Sequence, residues 1–216
     1  EKQQRIFYLD NVCGVLILFM IFVVHQRGFL RYSNIFLDYV YATLSFFMFW
    51  FFFKGGMMFK DRNVADMLRT SARRLLLPYF VFLVIGILCE AYLNYLHEVP
   101  LSFSEFLKTR LWEIVNKSTI EAAGPCWFLL ALFVDRIVFQ ICVKRRIPPV
   151  IIATVSLAFA YFVYYCSSKN NYSTLLPLEG HNWSLHIPYW VGSMSLGLMC
   201  YSLGYFLKDK QFSKWV

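Results

Sequence analysis

A chain of 216 residues that is 59% hydrophobic and only 16% charged is too apolar for an ordinary soluble domain, which runs to about half apolar and about a quarter charged. Its net charge of +8 could serve nucleic acid, but no nucleic-acid motif accompanies it, and basic loops at a membrane surface explain it better. The cysteines at 13, 89, 126, 142, 166 and 200 show no CxxC pair and mostly fall inside apolar runs, so they read as packing residues.

The long uncharged runs mark a polytopic membrane protein of all-α class, a bundle of about six spans. The first runs from about Tyr8 to Val24, bounded by Asp10 and ending just before His25. No Ala-x-Ala-like cleavage site follows it, so it is expected to be a retained span. The second, about Asp38 to Phe53, is dense in aromatics and ends in "WFFFKGG". The third, about Leu75 to Tyr92, has Pro78 near its start, where a first helical turn tolerates it. The fourth runs from about Cys126 to Val143, the fifth from about Pro149 to Tyr165 and the sixth from about Pro188 to Phe206.

Most of the Lys and Arg fall in the N-terminus, the 54–74 segment, "KRR" at 144–146 and the tail after Phe206. The positive-inside rule then places the N-terminus in the cytoplasm, with loops 93–125 and 166–187 outside. The first of these contains "SFSEFLKTRLWEIV", an expected amphipathic helix starting near Ser104. The second is polar and turn-rich.

Charges inside spans need a reason. Asp10 and Lys54 sit at span ends, and Glu90 lies toward the outer end of the third span. For Asp135 and Arg136 a structural account is available: the arginine reaches the interface and the aspartate pairs with a neighbour. His25 follows Asp10 by 15 residues, roughly 22 Å of helix, which puts it in the outer part of the bilayer. It can move a proton near neutral pH or simply make an interfacial hydrogen bond. His97, His181 and His186 fit no zinc spacing, and no metal is expected. No Gly-rich phosphate loop, GxSxG elbow or HExxH occurs, and "KGGMMFK" at 54–60 reads as a turn closing the second span.

Five ordered landmarks together resemble the membrane acyltransferase-3 family, which includes sugar and polysaccharide O-acetyltransferases. They are Arg5 with "LD" at 9–10 before an apolar span ending in His; "WFFFKGG" at 50–56; a basic stretch into "RRLLLPY" at 73–79; "WFLLAL" at 127–132; and "SLGLMCYSLGYFL" at 195–207. The resemblance implies one transmembrane domain over 1–216, incomplete at its C-terminus because such bundles have about ten helices. It implies a bacterial cytoplasmic-membrane enzyme that takes acyl groups, typically acetyl, from acyl-CoA to a hydroxyl of a glycan or lipid-linked sugar, with no bound cofactor. His25 would be the general base or transient acyl carrier. Lys54, Arg73 and Arg74 would attract CoA phosphates, although positive-inside topology also explains them. Trp127 would line the cavity or sit at the interface, and Asp10 would be supporting. The family pattern places a basic residue eleven positions before the His. Here that position is Gly14, beside Cys13, so positive charge would have to come from Lys54, Arg73 or Arg74. The alternative readings are a glycan or lipid transporter or flippase, or an inactive fragment.

Overall fold

The computed structural model describes residues 7–19, 47–96, 102–120, 123, 126–169, 175–177, 184–186 and 190–212. They are helical except for a few connecting residues and one short ribbon. In chain order come α1 (Phe7–Phe19), α2 (Phe47–Met57), α3 (Val64–Ser71), a π-helical turn (Ala72–Leu76), α4 (Leu77–Leu96), α5 (Phe103–Lys117), α6 (Trp127–Lys144), α7 (Pro149–Lys169), β1 (Leu175–Pro177), β2 (Ser184–His186) and α8 (Trp190–Phe212). The ribbon is antiparallel, with Leu176 opposite Leu185. It corrects the expectation of an irregular 166–187 loop, since short backbone pairing satisfies polar groups that turns alone would leave to water.

α8 is the central element and packs on α2, α6 and α7. Its crossing with α2 is a backbone-to-backbone contact. A Cβ on Gly56 would stand 1.9 Å from the Tyr201 carbonyl oxygen, and one on Gly204 would stand 2.0 Å from that of Phe53. No side chain fits at either point. In a bilayer, where lipid is as apolar as leucine, such close approach is what holds helices together. The expectation of a turn at Lys54–Gly56 is therefore corrected. These residues stay helical, because the α8 contact outweighs the low helix propensity of glycine, about 1 kcal/mol per residue.

Aromatic rings fill the space beside this crossing. Phe59, Phe139 and Tyr201 are all buried. The Phe59–Phe139 centroids are 5.0 Å apart and the Phe139–Tyr201 centroids 5.1 Å, both in the tilted or edge-on arrangements that the ring quadrupole favours. A second core joins Tyr79 and Leu83 of α4 to Ile120 and Ala123.

Two helical runs among the described residues are long and apolar enough to cross a membrane, Val64–Leu96 and Pro149–Cys166. The first corrects the expected start near Leu75, because α3, the π-turn and α4 form one continuous rod. Pro78 therefore lies inside a helix and not in its first turn. The wider turn comes directly before it, where the proline ring would press on the Arg74 carbonyl and has no N–H to offer it. Both spanning runs leave large apolar side chains outward, among them Phe80, Val84 and Leu88 on α4 and Val155 and Phe162 on α7. α6 is shaped differently, since it carries Asp135, Arg136 and Lys144 within its 18 residues.

Candidate functional site

α1 packs against α2, and two side chains on α1, Cys13 and Leu16, are buried. Lys54, in the last turn of α2, reaches across: its ammonium donates to the Cys13 thiol at 3.3 Å. The lysine is driven there by geometry. Phe52 is fully buried, and Gly55 and Gly56 are pressed on α8. Position 54 is thus left to look toward α1. Beside Cys13 is Gly14, whose added Cβ would meet no atom of the described residues within 4 Å. Asp10 lies one turn earlier on the same helix. The contact therefore puts a positive charge against α1 next to a position with open space.

His25 lies outside the described residues. Of the three basic residues that might serve α1, only Lys54 is shown in contact with it. Arg73 and Arg74 occupy the π-turn, exposed, where the turn packs against α6. Their guanidinium groups can engage an anion bidentately. The segment before them is fastened from two directions. Gln140 of α6 donates its amide to the Asp61 carboxylate and, at 2.8 Å, to the Arg62 carbonyl. Lys208 of α8 donates to the Phe59 carbonyl at 2.9 Å. Gln140 is fully buried, so a polar residue in the apolar run "VFQICVK" was the available signal for this clasp. Trp127, partly buried, opens α6. Thirteen residues separate it from Gln140, roughly 20 Å of helix, so Trp127 and the clasped basic segment belong to opposite ends of α6.

Asp135 corrects a further expectation. It is 1% exposed, and neither carboxylate oxygen has a hydrogen-bond partner. It faces Gly197, where an added Cβ would stand 2.7 Å from Oδ2. The anticipated neighbour is missing because the surrounding positions are given to Phe52 and the α8 backbone. Glu90 does find a partner: Arg110 Nε lies 2.9 Å from Glu90 Oε2.

Among the described residues, no group of three or more His, Cys, Asp or Glu could hold a metal ion. Comparison with curated proteins and with solved structures gives no match. A family model described as an acyltransferase domain, Acyl_transf_3, matches residues 6–214. That match takes in the α1–α2 contact, the clasped basic segment and the α2–α8 crossing alike, and the chain belongs to the acyltransferase-3 family.

Proposed function

We propose that this acyltransferase is a multi-pass protein of the bacterial cytoplasmic membrane, with about six spans and a cytoplasmic N-terminus. It moves an acyl group, acetyl foremost, from acyl-CoA to a hydroxyl of a cell-surface glycan or lipid-linked sugar. The observation that carries the site assignment is the Lys54 ammonium held against α1 at Cys13. His25, further along the chain from α1, removes the proton of the acceptor hydroxyl as its oxygen attacks the thioester carbonyl. The tetrahedral oxyanion that forms needs a nearby fixed positive charge, and Lys54 supplies it. Collapse expels CoA thiolate, which takes the proton from the His25 imidazolium, so ester and CoA thiol leave with protons balanced. Asp10 supports the charged end of α1. Arg73 and Arg74 bind the phosphates of the donor where the π-turn meets the basic segment, and Trp127 borders the acceptor end of α6. Family membership favours this chemistry over a transporter or flippase.

Acetyl transfer from labelled acetyl-CoA, followed in membranes at matched expression, tests the assignment. His25→Ala abolishes transfer; unchanged transfer rules out His25 as the base. Lys54→Met lowers turnover about 10²–10³-fold, the usual cost of one oxyanion donor. Adding Gly14→Lys to Lys54→Met restores part of the rate, because the open space at Gly14 admits a second ammonium on α1. A double variant no better than Lys54→Met alone would place the needed charge elsewhere. Failure of the intact protein to acylate any glycan pool would favour transport or an inactive fragment.

A further inference from the structure

α5 has three faces, and one of them has no partner in the fold. At about 3.6 residues per turn, Phe106, Arg110 and Ile114 line the side turned to the protein. Phe106 is buried, the Arg110 guanidinium lies 5.4 Å from its ring centroid, and Arg110 also bridges Glu90 of α4 and Glu113. Both ends of α5 are tied as well. Trp190 Nε1 donates to the Val115 carbonyl at 3.1 Å, and the Tyr79 hydroxyl donates to the Ser118 carbonyl at 3.0 Å just past the helix. The helix cannot roll without breaking these bonds.

On the next face Phe103, Leu107, Leu111 and Val115 form a row with i, i+4 spacing, and Trp112 flanks it. Phe103 is 73%, Leu111 54%, Trp112 65% and Val115 60% exposed. The remaining face is polar, with Glu105, Thr109 and Asn116. A helix fixed by one side against a membrane-crossing rod, apolar on a second and polar on a third, is shaped for the boundary between lipid and water.

We propose that α5 is an interfacial anchor whose Phe103–Leu107–Leu111–Val115 row and Trp112 bind the lipid surface where α4 leaves the bilayer. Two observations select lipid as the occupant. Glu90, which holds α5, lies on the same rod whose exposed Leu88, Tyr92 and Leu93 are already apolar, so the α5 row sits against the end of a spanning helix. Lys108, at the edge of the row, has a long stem that lets its ammonium reach the headgroups. The proposal also gives Glu90 its reason for lying inside a span: it is the counter-charge that locks α5 at one depth.

The test uses the intact chain reconstituted in vesicles of phosphatidylethanolamine and phosphatidylglycerol. The Trp112 signal is the emission lost in Trp112→Phe. Burial of an interfacial helix about 5–10 Å into the headgroup–acyl boundary predicts that this component is quenched strongly by lipids brominated near the headgroup. Lipids brominated at the chain ends should quench it weakly, and aqueous acrylamide little. Quenching by acrylamide alone would show a water-exposed face and overturn the proposal. Protection from all three would show a protein partner or second copy on the row, and would overturn it equally. Arg110→Met serves as the control for rigid docking, since releasing the Glu90 tie broadens the depth distribution while a lipid-bound Trp112 stays protected from acrylamide.

Discussion

The α2–α8 crossing and the outer face of α4 have similar apolar character and opposite roles. At the crossing, Gly56 and Gly204 bring two backbones into contact, and buried rings of Phe52, Phe139 and Tyr201 close round them. On α4, larger side chains such as Phe82 and Leu88 stand 52% and 63% exposed. Hydrophobicity therefore does not separate inside from outside in this protein. Where the surroundings are themselves apolar, close packing and small residues decide which faces meet.

The largest effect expected from this contrast is at the crossing. Gly204→Leu places a side chain on the Phe53 carbonyl and destabilises the fold by about 3 kcal/mol or more. Thermal denaturation of the detergent-solubilised protein measures it, and an unshifted transition would show that the helices do not cross there. Next comes ring removal. Phe139→Ala costs about 3 kcal/mol, whereas Phe82→Ala on the outer face costs well under about 1 kcal/mol because lipid replaces the lost contacts. Equal losses at the two sites would erase the distinction between the regions. A third effect lies between them, where α5 is fastened. Arg110→Met costs about 1.5–3 kcal/mol, the range for hydrogen bonds to charged groups. Glu90→Gln in that background should add little, and full additivity in the double-mutant cycle would mean that the two residues act separately. Smallest is Val84→Leu on the lipid side, expected to stay within about 0.5 kcal/mol.

Much of the helical architecture was legible along the chain. Apolar runs marked α4, α6, α7 and α8 within a few residues, and the amphipathic pattern marked α5, which begins at Phe103 beside the expected Ser104. The errors share one cause, which is contact between segments distant in sequence. "KGG" reads as a turn until α8 packs on it. Pro78 reads as a helix start until the π-turn joins α3 to α4. Asp135 was expected to be paired until the fold surrounded it with rings and glycine. Of the candidate site, the residue types were readable but their grouping was not. Lys54, Arg73 and Arg74 were equivalent as positive charges, and only the α1–α2 contact singled out Lys54.

By itself the sequence determined that the chain is an apolar helical protein with basic segments between its runs, and its ordered landmarks already resembled the family to which the chain belongs. Those properties are set by local composition and period, which a linear reading captures. The tertiary structure alone decided which glycines touch, which lysine serves α1, and that Glu90 holds α5 through Arg110. Each of these depends on two residues far apart in the chain coming within a few ångströms, a relation that local pattern does not encode.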